Sequence, residues 1–148
     1  MNICTQNGGG SPVTKKRYVF DIDGTICTIV KKIEFENATP GKGYDLAQPK
    51  MDIINKINKL YDEGHTIVFQ TARGFETGID WREVTEKQLS RWGVKYHELH
   101  FGKSSGSIYV DDKGCNVDDF MPHIECFARN IHDDYIIKCC FCLFYKFI

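Results

Sequence analysis

The sequence has almost no net charge: 19 Lys and Arg residues against 20 Asp and Glu residues give −1 at pH 7. It therefore lacks the general electrostatic attraction that draws proteins to nucleic acid or to anionic membranes. The longest apolar stretch, residues 136–148, contains two lysines and is shorter than the ~20 residues that a membrane helix needs. The composition thus argues against a membrane protein and against a general nucleic-acid-binding protein.

The first sixteen residues lack the apolar core of a secretory signal. The seven cysteines are an odd number, so they do not form a complete set of disulfides. We expect free thiols in a reducing, cytoplasmic setting. Cys27 is interpreted as a small packing residue, with an oxidation-sensitive thiol as the alternative.

Residues 18–25 read Tyr-Val-Phe-Asp-Ile-Asp-Gly-Thr and are the most informative segment of the chain. The apolar run is typical of a buried central strand, and Gly24 marks its end. Asp21 and Asp23 then stand close together, and unpaired carboxylates that close usually hold a cation or share a proton. An ordinary Asp-Gly turn is the alternative, but it does not explain the second aspartate or the following threonine.

This motif, Asp-x-Asp-Gly-Thr, resembles the nucleophile loop of the haloacid dehalogenase superfamily, most of whose members are magnesium-dependent phosphatases. The resemblance implies that Asp21 attacks phosphorus to form an aspartyl-phosphate, that Asp23 is the general acid and base, and that Gly24 contacts the phosphate. The chemistry is sensible in itself, because a carboxylate nucleophile divides a difficult hydrolysis into two easier displacements. A second carboxyl can then supply and remove the proton.

A second resemblance lies at residues 71–74, Thr-Ala-Arg-Gly, which follow an apolar run. The second motif of the superfamily is an apolar strand that ends in Ser or Thr. Thr71 and the backbone N–H groups around Ala72 are therefore expected to bind phosphate oxygens. Arg73 either grips the substrate through its bidentate fork or forms a surface salt bridge.

The third superfamily motif is a lysine that neutralises the nucleophile and the phosphate, a role that suits a point charge. Lys103, eight residues before Asp111, is the first candidate, and Lys113 is its rival. Ser104 stands where the family pattern would have proline.

An acidic pair follows the apolar residues 108–110 and resembles the fourth motif. The resemblance implies that Asp112 ligates magnesium and that Asp111 supports it indirectly. An oxygen of Asp21 and the main-chain carbonyl of Asp23 would complete the oxygen shell that Mg²⁺ requires. Three nearby polar residues are alternative ligands, although helix capping is the preferred interpretation of the last two: Asn116, Asp118 and Asp119.

The order of elements predicts an α/β fold, a Rossmann-like parallel sheet flanked by helices, with ligands at the carboxyl ends of the strands. The expected elements are strands at 18–20, 65–70, 96–101 and 107–110, helices at 49–64 and 80–92, and a flap at 26–36. We expect a flexible leader at 1–16, a phosphatase domain at 17–132 without a separate cap domain, and an apolar tail of uncertain role at 133–148.

The leading hypothesis is a magnesium-dependent phosphomonoesterase acting on a small sugar- or polyol-phosphate, because the motifs together resemble capsule or polysaccharide biosynthesis phosphatases. A polynucleotide 3′-end phosphatase is the alternative, since Thr-Ala-Arg-Gly and Asp-Asp-Lys also resemble the phosphatase halves of end-healing enzymes. The near-neutral charge counts against nucleic acid. A non-catalytic phosphate-binding module is the third reading. No membrane partner is expected, and a homo-oligomer could cover the open site.

Overall fold

The computed structural model describes residues 14–31 and 43–120. Within these residues, three parallel strands form the centre of the fold. Strands β1 (Arg17–Phe20), β2 (Thr66–Thr71) and β3 (Glu98–Phe101) lie in the order β1-β2-β3. Val19 lies opposite Val68, and Thr71 lies opposite Phe101. The predicted α/β class is confirmed, and the carboxyl ends of the three strands meet at one edge of the sheet.

Helix α1 (Met51–Asp62) packs on the sheet through one apolar face. Its buried residues recur every three to four positions, as an amphipathic helix requires: Ile53, Ile54, Ile57 and Leu60. Pro49 was predicted as the first helical residue, but it instead forms an antiparallel bridge with Cys27. Lys50 is the N-cap, because the chain just before the helix is used to pair with the loop after β1.

Helix α2 (Arg82–Arg91) carries polar as well as apolar residues on its buried side: Thr85, Gln88 and Leu89. Asp80 and Glu83 have the sequence spacing of a capping box, but that box does not form. The helix begins at Arg82, whose N–H donates to Asp80 Oδ1 at 2.9 Å, while Glu83 pairs with Lys87. A short 3-10 helix, Gly43–Leu46, packs against α2.

The core between the sheet and the helices is apolar and rich in aromatic rings. Phe69 in β2 is fully buried, and its ring centroid lies 6.1 Å from that of Phe20 in β1. Tyr18 and Phe20 also contact Phe120, in the helical residues 117–120. Leu89 and Trp92 complete this core from the α2 side. The core thereby holds the ends of β1 and β2 rigidly side by side.

The strand predicted at 107–110 is wrong for the described structure. Ile108 and Val110 are 82% and 96% exposed, and no strand among residues 14–31 and 43–120 pairs with the free side of β1. The segment instead folds on itself, since the Tyr109 hydroxyl donates to the Ser104 carbonyl at 2.7 Å. An apolar β-branched run forms a strand only where a sheet edge receives it.

Several predicted segments lie outside the described residues. These are the tail, most of the leader and the second half of the flap; the described part of the flap, residues 26–31, contains no strand beyond the isolated bridges of Cys27. None of the described helices is long and apolar enough to cross a membrane.

Because the ring of His65 is buried, we expect the free energy of unfolding to depend on pH. Its Nδ1 accepts the Lys16 backbone N–H at 3.1 Å, and burial, opposed by Glu63, lowers its pKa below 6.5. The unfolded chain therefore takes up this proton more readily, and stability falls as pH drops below about 6.5. The His65→Asn variant keeps an acceptor near Nδ1 without a titrating group. Thermal unfolding between pH 7.5 and 5.5 should show a flatter pH dependence in the variant, and equal slopes would contradict this assignment.

Candidate active site

The loop after β1 is a tight turn around one buried carbonyl. The carbonyl of Ile22, whose side chain is fully buried, accepts N–H groups at 3.2, 3.0 and 3.4 Å from three successive residues: Thr25, Ile26 and Cys27. Asp21 and Asp23 flank this buried residue, and both keep part of their side chains exposed. The alternation of a buried isoleucine with two aspartates therefore directs both carboxylates away from the core.

Gly24 allows this turn, because its φ of +84° is unfavourable for residues with a Cβ. A Cβ there would also lie 3.2 Å from Ile29 Cδ1. The carbonyl of Gly24 accepts a hydrogen bond from Lys50 Nζ at 2.6 Å. Sequence reasoning missed Lys50, since a lysine just before a helix carries no signal of a contact 26 residues away.

Asp21 is the more exposed of the two loop carboxylates. Its side chain is 32% exposed, and Lys103 Nζ lies 3.5 Å from its Oδ1. Burial raises the pKa of Asp21, while Lys103 and the Ile22 N–H act in the opposite direction. A partly desolvated carboxylate beside a cation is suited to attack an anionic phosphoryl group, because the cation offsets the repulsion.

Asp23 is clamped by a buried arginine. Arg73 Nε and Nη2 donate to its two oxygens at 2.8 and 2.7 Å, and the Arg73 side chain is fully buried. Of the two sequence-based readings of Arg73, the salt bridge is the one that forms, although it is buried and not at the surface. The edge of the guanidinium that carries Nε and Nη2, which can form a bidentate contact with an anion, contacts the two oxygens of Asp23.

The other side of the guanidinium is also enclosed. Arg73 Nη1 donates to Thr85 Oγ1 at 3.1 Å and to Gln88 Oε1 at 2.8 Å. The Tyr44 ring lies over it, with 4.2 Å between the ring centroid and Cζ. Together with the bonds to Asp23, these contacts use all three guanidinium nitrogens. We call the group formed by Arg73, Thr85, Gln88 and Tyr44 the Arg73 clamp.

Thr71 links the cations of the site. It ends β2, is fully buried, and its Oγ1 accepts the Arg73 N–H at 3.2 Å. Its carbonyl accepts the Lys103 N–H at 3.2 Å. Ala72 is half-buried between Thr71 and Arg73. The predicted phosphate-binding threonine therefore lies at the expected strand end, where its visible contacts orient the backbones of Arg73 and Lys103.

The predicted acidic pair does not join the other carboxylates in this structure. Asp111 and Asp112 are exposed, and the Lys113 N–H donates to Asp111 Oδ1 at 2.7 Å, which lowers the pKa of Asp111. Within residues 14–31 and 43–120, no three His, Cys, Asp or Glu side chains lie close enough together to hold a metal ion. The reason is the missing strand at 107–110, which was expected to carry the pair to the sheet edge.

Cys27 lies under Asp23. Its thiol donates to the Ile22 carbonyl at 3.5 Å and lies 3.7 Å from Asp23 Oδ1. Burial, reinforced by the charge of Asp23, raises the pKa of Cys27 to about 12. The thiol is therefore protonated at neutral pH and packs beneath the loop as a weak donor.

Comparisons with known proteins give one family and two solved structures. The family described as the polynucleotide kinase PNKP phosphatase domain matches residues 15–142. A crystal structure of a protein from Vibrio cholerae is 22% identical with a TM-score of 0.58, covering 78% of this chain and 99% of that one. The Pnkp1/Rnl/Hen1 RNA repair complex contains a chain that is 16% identical, with a TM-score of 0.45, covering 84% of this chain and 37% of that one. No curated protein matches the sequence significantly.

The similarity to the Vibrio cholerae protein supports the fold alone. The family model, in contrast, matches most of the sequence. The matched residues include β1, β2, β3 and every residue of the clustered carboxylates and cations. The chain therefore belongs to the haloacid dehalogenase superfamily, in the family of polynucleotide kinase phosphatase domains, and is a hydrolase of the phosphatase type.

Proposed function

We propose that the protein removes 3′-phosphates from polynucleotide ends through an aspartyl-phosphate on Asp21. The observation that carries the proposed chemistry is that two carboxylates on one loop lie in different surroundings. Asp21 is partly exposed beside Lys103, and Asp23 is clamped by the buried Arg73. Two like groups in different environments are suited to different roles, here nucleophile and proton carrier.

The reaction proceeds in two displacements. An Asp21 oxygen forms a bond to phosphorus as the bond to the substrate alcohol breaks, and protonated Asp23 gives its proton to the leaving oxygen. Water then attacks phosphorus, Asp23 takes a proton from it, and the bond between phosphorus and Asp21 breaks to release phosphate. Lys103 offsets the negative charge of Asp21 and of the phosphoryl oxygens throughout.

Magnesium is the proposed cofactor, and the donors of the loop fit it. Mg²⁺ is usually held by one or two carboxylates, substrate phosphate and water, and Asp21 provides one open carboxylate. The Asp23 carbonyl is the second proposed donor. The third, Asp112 with Asp111 in support, lies on the exposed segment after residue 110 and would reach the ion only when that segment moves to the sheet edge. When bound, the ion supplies charge stabilisation at the phosphoryl group.

The substrate class rests on the family match, because the matched family is described for a polynucleotide kinase. A small sugar- or polyol-phosphate is the second candidate, and the net charge of −1 favours it. The likeness to capsule biosynthesis phosphatases, the cytoplasmic location and the homo-oligomer remain predictions.

Replacing the nucleophile should abolish turnover without harming the fold. In Asp21→Asn the attacking oxygen is lost, and so is a charge that burial disfavours. Hydrolysis of 4-nitrophenyl phosphate with magnesium should fall to background, and the thermal midpoint should be unchanged or higher. The exposed Asp52→Asn on α1 is the matched control and should retain activity. Wild-type turnover in Asp21→Asn would refute the covalent mechanism.

A substrate panel separates the two candidate classes. We expect the highest kcat/KM on oligonucleotides with a 3′-phosphate, lower values on 5′-phosphorylated oligonucleotides of the same sequence, and the lowest on sugar phosphates. Each rate should disappear with a chelator and return with added magnesium. A higher kcat/KM on a sugar phosphate would make that class the favoured substrate and contradict the polynucleotide proposal. The assignment as a phosphatase would still hold.

Loss of the Asp23 carboxyl should lower the rate most for substrates with poor leaving groups. In Asp23→Asn, kcat/KM for a 3′-phosphorylated oligonucleotide should fall by roughly 10²–10⁴-fold. The loss on 4-nitrophenyl phosphate should be much smaller, since nitrophenolate leaves without protonation. Equal losses on the two substrates would show that Asp23 does not act as the general acid.

A further inference from the structure

Gln88 occupies a buried position where α2 would ordinarily present an apolar residue. It is only 1% exposed. Its Oε1 accepts Arg73 Nη1 at 2.8 Å, and its Nε2 donates to the Tyr44 carbonyl at 2.7 Å. Both ends of the amide are therefore used, as buried polar groups require. The proposed reaction assigns Gln88 no role, so its presence calls for an explanation.

The contacts form a short relay from α2 to the reacting groups. Gln88 and Thr85 hold Nη1 of Arg73, and Nε and Nη2 of the same guanidinium hold Asp23. A guanidinium is planar and rigid, so fixing one nitrogen fixes the directions of the other two. Gln88 and Thr85 therefore orient Asp23 indirectly, through Arg73.

Tyr44 closes the relay from the opposite side. Its ring covers the guanidinium at 4.2 Å and meets the Trp81 ring edge-on at 4.9 Å. Its carbonyl in turn holds Gln88. Excluding water in this way strengthens the charge-assisted bonds between Arg73 and Asp23, because the local dielectric is low.

We propose that Gln88 is a positioning residue for the phosphatase reaction, acting through Arg73 on the orientation of the Asp23 carboxyl. The proposal rests on the function proposed above. It assigns the Arg73 clamp to proton transfer and not to substrate binding, so loss of Gln88 should lower the rate of the acid-assisted step and leave KM nearly unchanged.

The test is Gln88→Met, which retains the length and apolar packing of the side chain and removes both hydrogen bonds. For a 3′-phosphorylated oligonucleotide, kcat/KM should fall about tenfold or more, a part of the roughly 10²–10⁴-fold that acid–base groups contribute. The loss on 4-nitrophenyl phosphate should be under threefold. Gln48→Met is the matched control, because Gln48 is exposed and its side-chain amide donates to the nearby Leu46 carbonyl at 3.1 Å. This variant should show neither loss.

A double-mutant cycle distinguishes positioning from a general structural effect. In the Asp23→Asn background, Gln88→Met should cause almost no further loss, because the group on which it acts is gone. The same fractional loss in both backgrounds, or a raised KM with unchanged kcat, would overturn the proposal. If Gln88→Met does not fold, Thr85→Val removes the other acceptor of Arg73 Nη1 with nearly the same shape, and the same cycle decides.

Failure of the wider proposal has a different signature. If the wild-type protein shows no hydrolysis that Asp21→Asn removes, the proposed function is wrong and the role of Gln88 falls with it. If the wild-type protein is active and Gln88→Met behaves like Gln48→Met on both substrates, only the positioning role is wrong.

Discussion

Two like charges on one short loop are the constraint on which the rest of this site depends. Asp21 and Asp23 flank a single buried residue, and their mutual repulsion must be offset before the loop is stable. Each carboxylate has its own cation. Lys103 lies 3.5 Å from Asp21 and is partly exposed, whereas Arg73 is fully buried and contacts both oxygens of Asp23. This asymmetry places two identical side chains in different electrostatic surroundings, which suits them to different roles.

The parallel sheet is what brings these groups together. The loop after β1 carries the carboxylates, the end of β2 carries Arg73, and the chain after β3 carries Lys103, so each strand contributes at the same edge. Burying Arg73 has a cost, because a desolvated cation needs a full set of partners. That cost explains why α2 presents Thr85 and Gln88 to the interior, and why its apolar periodicity is weaker than that of α1.

Local patterns predicted the elements well where local chemistry decides them. The three strands and α1 follow from apolar runs and from 3–4 periodicity, and their ends shift by only one or two residues. The same reasoning failed at 107–110, where Ile108 and Val110 have strand-forming side chains but remain exposed. Strand propensity expresses fit to a sheet surface, so it cannot show whether an edge is there to receive the strand. The position of Asp111 and Asp112 depends on that docking.

By itself, the sequence determined the loop of Asp21 and Asp23, because an apolar run, a glycine and alternating aspartates act within a few residues of each other. The sequence also contains the motifs on which the phosphatase prediction rests. Only the tertiary structure decided that Arg73 holds Asp23, 50 residues away, and that Gln88 and Tyr44 hold Arg73. An arginine has the same sequence signal whether its fork meets a substrate or a carboxylate. Its partner is set by which side chains the packed helices and strands bring within 3 Å.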